Sequence, residues 1–345
     1  MRDDKVTITK AIGILLMVAV HGGMQKYGAD FIVMFHMPLF FFVSGYCFKE
    51  KHLNYPPQFV KKRIKGLYKP YVKWSLIFLV LHNIFYYLGI YNDIYGFNGN
   101  VSHIYTLKET IRRAVDITIG MHGNEQLLGG YWFLPQLFFA SLLGFILIKW
   151  VKNLYTGLAL ALFTTIVSSY FNLHLPYFPV SSLTCLSTLF FLSGYAYKKK
   201  FDNWNSWRYT LSFAVIVALG SVFSYTTMLR YSASEVIPYS ICAICGTVMT
   251  LNISRFIAQK DNGIKRFLVY IGNNTMTVLT WHFLCFKIVS LAIIEYEDLP
   301  MAKLACFPII QDYNYLWPAY LMIGASIPLT VKYFLQKRTI PSVAI

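Results

Sequence analysis

Ten stretches of about 20 mostly apolar residues run along this chain of 345 residues, and they constrain its fold more than any other feature. A helix needs about 20 apolar residues to cross a bilayer, where every backbone polar group must be satisfied internally. Only 13% of the residues are charged, against roughly 25% in a soluble domain, so lipid must cover much of the surface. The sequence therefore predicts an all-α fold, a polytopic membrane helix bundle in a single domain (1–345). It has about ten transmembrane helices at approximately 7–25, 31–48, 67–90, 131–149, 154–171, 181–197, 209–228, 236–256, 267–294 and 316–335.

The basic residues predict how these helices are oriented. If the N-terminus is cytoplasmic, 21 of the 31 Lys and Arg residues fall in cytoplasmic segments, 6 in external segments and 4 inside spans. Cytoplasmic loops of membrane proteins carry an excess of Lys and Arg. We therefore expect both termini to be cytoplasmic and the long loops 91–130 and 295–315 to be external, with a surface helix over 106–119. The same bias explains the net charge of +16, so we expect membrane lipids as partners and no nucleic acid.

Two other signals bear on localisation and metal binding. The first apolar run, Ile8–Val20, is followed by His21-Gly22-Gly23 rather than by a small-residue cleavage site. We expect it to remain as the first span of a multi-pass cell-membrane protein. Cys242 and Cys245 form a lone C-x-x-C pair inside a span, without the second pair of a zinc site. We therefore expect no metal.

Ionisable residues inside the predicted spans are the first candidates for function, because burying them in a membrane is costly. Lys10 and His21 are 11 residues apart, so they share one helix face about 16 Å apart along the axis. His36 and His282 lie in the outer halves of their spans, at a depth similar to that of His21. Histidine accepts a proton near neutral pH, so these three histidines are the candidate catalytic residues. Simpler roles stay open: snorkelling for Lys10, a structural hydrogen bond for His21, and an interfacial position for His82.

The densest basic cluster, Lys61-Lys62-Arg63-Ile64-Lys65, precedes Pro70-Tyr71 on the predicted cytoplasmic side. It can set the topology and contact anionic lipid headgroups. Alternatively it is a phosphate site for an anionic cofactor, because Arg offers paired donors and Lys a point charge. On that hypothesis Lys62, Arg63 and Lys65 bind the cofactor together with Lys10.

Aromatic and amide residues mark two further span starts. Tyr131 and Trp132 follow Gly129-Gly130, where they can form part of an interfacial aromatic belt or stack on a sugar ring. Ile271-Gly272-Asn273-Asn274-Thr275 places amides inside a span, where they need partners and so face the bundle interior. The candidate substrate-binding residues are Tyr131, Trp132, Asn273 and Asn274.

One short segment occurs twice in the chain. Phe41-Phe42-Val43-Ser44-Gly45-Tyr46 recurs as Phe190-Phe191-Leu192-Ser193-Gly194-Tyr195, each near the cytoplasmic end of a span. Small residues allow helices to approach closely, which is the simpler interpretation. An ancestral duplication is the alternative.

Taken in order, several of these segments resemble motifs of the acyltransferase 3 membrane family. Lys10-x10-His21 resembles the R-x10-H signature of its first helix, and Phe35-His36-Met37-Pro38-Leu39-Phe40-Phe41 resembles the second-helix motif of its fucose 4-O-acetylase-like branch. Arg63 with Pro70-Tyr71, Trp132-Phe133-Leu134, and Ile271 to Thr275 with His282 resemble later motifs. The chain departs from the pattern at Lys10, where Arg is usual, and at Gly66, where a further Arg is common.

The resemblance implies acyl transfer, usually of acetyl from acetyl-CoA, to a hydroxyl of a cell-surface or exported glycan or a lipid-linked sugar. A bacterial inner-membrane enzyme fits, with basic residues facing the CoA and histidines facing the glycan. We predict His21 as the general base and His36 as its orienting partner or an oxyanion donor. No relay to a fused SGNH hydrolase-like domain is expected, since the chain ends ten residues after the last span. A transporter or flippase for a glycan or its lipid carrier is the alternative.

Overall fold

The computed structural model describes residues 3–96, 101–123, 125–151 and 153–339, and confirms the predicted all-α fold. Two of the counted cations, Arg2 and Lys152, lie outside these ranges, as do residues 97–100 and 124 of the predicted external loop. The α-helices within the described ranges are, in chain order, α1 (Asp4–His21), α2 (Lys26–Val33), α3 (His36–Tyr46), α4 (Lys51–Asn54), α5 (Pro56–Arg63), α6 (Lys69–Tyr87), α7 (Leu107–Val115), α8 (Phe133–Trp150), α9 (Leu154–Tyr170), α10 (Ser182–Lys200), α11 (Trp207–Phe223), α12 (Val236–Ala258), α13 (Gly263–Asn273), α14 (Thr275–Tyr296) and α15 (Trp317–Thr339).

Each of the ten predicted spans overlaps one of these helices or a consecutive pair. Four helical segments of the described chain are long and apolar enough to cross a membrane: Lys26–Tyr46, Gln126–Trp150, Ala233–Ala258 and Thr275–Tyr296. The shorter helix α11 exposes an apolar face, because four of its side chains at three- to four-residue spacing are more than half exposed: Leu211, Val215, Leu219 and Val222. Such a face suits contact with lipid, as expected of a multi-pass membrane protein.

Two segments predicted as continuous spans are broken helices. α2 ends at Val33 and α3 begins at His36, so Pro38 lies in the first turn of α3, where its missing N–H is not needed. The predicted span 267–294 is divided between α13 and α14. At that break the side-chain amide of Asn274 donates to the carbonyl of Tyr270 at 2.8 Å, an alternative to regular helix bonding.

Ion pairs gather the predicted cytoplasmic segments at one end of the bundle. The start of α1 is paired with Asp202, which follows α10, and with the start of α13. Asp202 is also paired with α12, and the end of α10 is paired with the residue before α4. The pairs are Lys265–Asp4 at 3.1 Å, Arg255–Asp202 at 2.9 Å, Lys5–Asp202 at 3.6 Å and Lys199–Glu50. We call this the basic end.

Hydrogen bonds gather the predicted external loops at the opposite end, which we call the loop end. Three side chains hold the segment 302–306: Asn92 donates to the Ala302 carbonyl at 2.9 Å, Gln126 to Ala305 at 3.2 Å, and Lys287 to Leu304 at 2.8 Å and Cys306 at 2.7 Å. The surface helix predicted over 106–119 is confirmed as α7, which a π-helical segment, Asp116–Gly120, extends. Segments that the charge bias assigns to opposite sides of the membrane thus lie at opposite ends of the bundle.

The duplicated segment forms the crossing of α3 and α10. A Cβ added to Gly45 would collide with the backbone of Phe191, and one added to Gly194 would collide with the backbone of Phe42. Gly45 and Gly194 are equivalent in the two copies, as are Phe42 and Phe191, so the crossing is locally two-fold. Close packing through small residues, the simpler interpretation of the repeat, is confirmed.

The tyrosines that follow these glycines extend the same symmetry. Tyr46 donates to Asp202 beyond α10 at 3.1 Å, and Tyr195 donates to Glu50 beyond α3 at 2.9 Å. Hydrogen bonds from Lys199 and from Tyr195 lower the pKa of the Glu50 carboxyl. The two parallel helices are therefore linked at the basic end through reciprocal tyrosine–carboxylate contacts.

Candidate active site

The last residue of α1 meets the middle of α14 in a pair of histidines. His21 Nδ1 lies 3.1 Å from His282 Nε2, and the two rings stack with centroids 5.4 Å apart. His282 is fully buried, and its Nδ1 faces the carbonyls of Val278 at 3.0 Å and Leu279 at 3.1 Å. Two of the three predicted catalytic histidines are thus in direct contact.

The hydrogen-bond network of this pair determines which nitrogens carry protons. A carbonyl oxygen only accepts, so His282 Nδ1 carries the hydrogen and His282 Nε2 presents a lone pair. His21 Nδ1 then donates to that lone pair, and the Nε2 of a neutral His21 is left without a hydrogen. No residue in the described ranges hydrogen-bonds to this Nε2. His21 therefore offers the proton-accepting nitrogen that a general base needs, and His282 holds its orientation.

His36, the third predicted catalytic histidine, is bonded to the backbone. It is buried at the start of α3, and its Nδ1 lies 3.1 Å from the carbonyl of Ile32 across the helix break. It lies within electrostatic range of His21. The direct hydrogen-bond partner of His21 is nevertheless His282, contributed by a helix more than 250 residues away in sequence.

Aromatic rings and a glycine turn enclose the histidine pair. Phe283 stacks on His21 with centroids 4.8 Å apart, and Phe307 packs on Phe283 at 4.7 Å. A Cβ added to Gly130 would lie 2.9 Å from a methyl group of Leu279 and 4.0 Å from the His282 ring. Glycine therefore lets the segment before α8 approach the site. The apolar walls strengthen polar interactions inside it, because the local dielectric constant is low.

Sequence reasoning gave no role to Lys287, which positions part of this enclosure. The side chain is buried in α14 one turn beyond Phe283, and its ammonium donates to the carbonyls of Leu304 and Cys306. These contacts hold the segment that leads to Phe307 over the site. A lysine within a span was the available signal, since such a residue needs a partner.

The predicted substrate-binding aromatics directly follow Gly130, the residue that approaches His282. Tyr131 is buried, and its hydroxyl lies 2.6 Å from that of Thr280, two residues before His282. Trp132 is partly buried and precedes α8. These two residues belong to the same short segment as Gly130.

The predicted substrate-binding asparagines lie further towards the basic end. Asn273 is exposed, and the buried Asn274 stabilises the break between α13 and α14. The adjacent Gly272 packs against the backbone of Thr7 near the start of α1. The structure therefore brings the segment that carries the aromatic pair, but not the asparagines, close to His282.

Arg63, a predicted cofactor ligand, points into the bundle near the end of α3. Its Nη1 donates to the Ser44 hydroxyl at 3.1 Å, and its guanidinium lies over the Phe59 ring at 4.9 Å. The Nε atom is buried without a hydrogen-bond partner among the described residues. Lys10 and Arg63 both act electrostatically on the thiol of Cys47, so they lie in the same region of the basic end.

The other two predicted cofactor ligands face elsewhere. Lys62 is exposed, and Lys65 lines a groove whose lining includes neither Lys10 nor Arg63. A π-helical segment, Ile64–Tyr68, separates α5 from α6. The extra residue of a π-turn rotates the following side chains by roughly 100° about the axis, an effect that the sequence pattern did not reveal.

His82, for which an interfacial position is one expectation, is enclosed by protein and bonded to the predicted external loop 91–130. This histidine is fully buried, with Nδ1 3.2 Å from Glu125 and Nε2 3.0 Å from the carbonyl of His103. Tyr91 also donates to Glu125, at 3.1 Å. A buried carboxylate accounts for the position, because it supplies the partner that a histidine inside the bundle needs. The cluster anchors the loop 91–130 to α6.

Comparison with known proteins identifies the family of the chain. The acyltransferase 3 family model, described as an acyltransferase domain, matches residues 3–334. No curated protein and no solved structure matches the chain. Because one family model spans nearly the whole chain, the protein belongs to the acyltransferase 3 family.

Proposed function

We propose that the protein is a membrane-bound O-acyltransferase that moves an acetyl or other short acyl group from acyl-CoA to a hydroxyl of a cell-surface or exported glycan. The observation that carries this proposal is the His21–His282 pair, which leaves a hydrogen-free nitrogen on His21. Membership of an acyltransferase family favours this reaction over the transporter alternative. A fucose 4-O-acetylase-like acceptor is the specific form that the second-helix motif favours.

The reaction needs a base because a sugar hydroxyl is a poor nucleophile until it loses its proton. In the proposed step, His21 Nε2 takes the hydroxyl proton as the oxygen attacks the thioester carbonyl. The C–S bond then breaks, and the proton passes from His21 to the departing CoA thiolate. His282 keeps the His21 ring oriented throughout, and His36 supports the oxyanion in this scheme.

The acyl donor is proposed to bind from the basic end. Its phosphates are anionic, and the buried Nε of Arg63, which has no hydrogen-bond partner among the described residues, is a donor that such a ligand would satisfy. Lys10 lies in the same region. Lys62 and Lys65 face elsewhere, so in this scheme they act on the donor only as longer-range positive charge. Lys10 supplies a single ammonium charge, whereas Arg would supply a planar guanidinium that binds a phosphate through two donors.

The acceptor is proposed to enter from the loop end. Trp132 and Tyr131 follow Gly130, which lies close to His282, and they offer aromatic surface to a sugar ring. Asn273 and Asn274 lie too near the opposite end to act at the same ring, so any role in binding is towards the donor. The proposed arrangement includes ten transmembrane spans, two cytoplasmic termini and location in a bacterial inner membrane.

Mass spectrometry of surface glycans tests the reaction. Cells producing the protein should carry glycan residues heavier by one acetyl group than cells producing the His21→Gln variant at equal membrane levels. The His174→Gln variant, altered at an exposed histidine of the loop end, serves as the control. Identical glycans in all three strains would refute the proposed acyl transfer to a glycan.

Cysteine labelling tests the orientation. Single cysteines at positions 108 and 303, in a background without native cysteines, should react with an impermeant maleimide in intact cells. A cysteine at position 260 should react only after permeabilisation. The opposite pattern would reverse the proposed sidedness.

A further inference from the structure

Four lysines line an apolar groove on the side of the bundle, between α6, α14 and α15. Lys65, Lys69 and Lys73 follow one another at four-residue spacing, and Lys332 lines the groove from α15. Its volume is about 680 Å³, within the roughly 300–1,000 Å³ typical of ligand pockets. Much of its wall is apolar: Trp74, Trp281, Met276, Ile327, Pro328, Val331 and Leu335.

No acidic side chain of the described residues compensates the positive charges of the groove, although the Lys73 ammonium lies 5.0 Å from the Trp74 ring centroid. The groove lining contains no acidic residue, and within the described ranges none of its four lysines forms an ion pair. The acidic residues of the basic end are engaged with other cations: Asp3 with Lys5, Asp4 with Lys265, Glu50 with Lys199, Asp202 with Arg255 and Asp261 with Arg266. Four cations along one groove whose lining contains no acidic residue favour an anionic ligand.

The rest of the lining favours a hydrocarbon chain over a polar arm. Trp74 and Trp281 meet edge to face with centroids 5.2 Å apart and form a continuous apolar wall. The hydroxyl of Thr280, one of two threonines in the lining, already contacts Tyr131 and the carbonyl of Met276. Few hydrogen-bonding groups therefore remain for the amides of a pantetheine arm.

The groove also opens towards the bilayer. Val331 and Leu335 at its rim are each more than half exposed on the outer side of α15. The lysines lie near the basic end, where the first turns of α6 meet the last turns of α15. Lysine and tryptophan are the residues that commonly meet lipid headgroups at a membrane interface.

We propose that this groove binds one anionic phospholipid of the bilayer, with the phosphate held by the lysines and a hydrocarbon chain lying along Trp74 and Trp281. Its inner end includes Cys285, one turn beyond His282 on α14. A lipid in the groove therefore steadies the helix that orients the catalytic pair. Lipid binding does not depend on the proposed acyl transfer.

Native mass spectrometry of the full-length protein in detergent tests the proposal with phosphatidylglycerol as the anionic probe and phosphatidylcholine as the reference. The groove variant carries Lys69→Gln, Lys73→Gln and Lys332→Gln. A matched control removes three exposed lysines of the basic end that lie outside the groove: Lys61→Gln, Lys200→Gln and Lys260→Gln. Each lysine at a membrane surface changes the affinity about fivefold, so the groove variant should bind the first phosphatidylglycerol roughly a hundredfold more weakly.

The expected result is tight binding of one phosphatidylglycerol by the wild type and by the control, and its loss in the groove variant. Replacing the same three lysines by arginine should restore binding, which separates loss of charge from misfolding. Equal phosphatidylglycerol affinity in the groove and control variants would overturn the proposal. Stoichiometric displacement of the lipid by coenzyme A would also overturn it and would assign the groove to the acyl donor.

Discussion

Replacing His21 by glutamine removes the proton-accepting nitrogen but keeps a side chain that hydrogen-bonds. General-base catalysis contributes typically 10²–10⁴ in rate, so transfer should fall by that factor, about 2.7–5.4 kcal/mol in activation free energy. Donor binding should change little, because His21 lies about 16 Å along α1 from Lys10. The assay is acyl transfer at saturating acyl-CoA beside a separate measurement of acyl-CoA affinity.

The His282 variants sharpen this prediction, because His282 acts only through His21. A glutamine at position 282 can place its carbonyl oxygen near the former Nε2 and still accept from His21 Nδ1. His282→Gln should therefore retain more activity than His282→Ala, which leaves the His21 ring unheld and opens a cavity in the core. Both variants need a matching elution profile and thermal midpoint before their rates are compared.

Two results would refute the reasoning. Near-wild-type transfer by His21→Gln would show that His21 is not the general base and would make His36 the next candidate. Equal loss in His282→Gln and His282→Ala would show that the proton-accepting position of His282 is not what orients His21. His174→Gln should remain at the wild-type rate in the same assay.

Three further predictions concern the donor site, the helix crossing and the loop end. Arg63→Gln should weaken acyl-CoA binding roughly ten- to a hundredfold in a titration, because one charge-assisted contact is worth about 1.5–3 kcal/mol; an unchanged affinity would exclude this residue. Gly45→Val should lower the thermal midpoint sharply, because the backbone of Phe191 cannot yield, whereas Gly66→Ala, with open space around it, should be neutral or slightly stabilising. Lys287→Met should accelerate proteolysis of the segment 297–316, because two carbonyls lose their donor; an unchanged cleavage rate would contradict that anchoring role.

The helices and their order along the chain were predictable because they follow from local apolar length. The duplicated segment also predicted a contact, since Ser-Gly in an apolar helix has few other uses. The pairing of His21 with His282 was predictable only as similar depth. Which helix packs against α1 depends on the arrangement of the whole bundle, and one sequence does not reveal that arrangement.

The sequence pattern also did not show which way some side chains face around a helix. Arg63 and Lys65 belong to one basic run, yet the π-helical segment that begins at Ile64 directs them to different surfaces. The buried carboxylate of Glu125 is a similar case, because its partner His82 is 43 residues away in sequence. Both features arise from tertiary packing that overrides the pattern of a single helix.

The first helix links the two halves of the proposed reaction. The helix pairs α2–α3 and α13–α14 are each broken near the start of the predicted span, but α1 runs without interruption from Asp4 to His21. It therefore acts as a rigid spacer that fixes the distance between Lys10, near the proposed donor region, and His21, at the proposed acceptor end. Gly13 adjoins Leu39 and Phe40 of α3, and Gly22 adjoins Tyr320 of α15, so the helix is also packed closely along its length. A base held by such a helix keeps its position relative to the donor phosphates, which is the geometric requirement for attack on one particular thioester carbon.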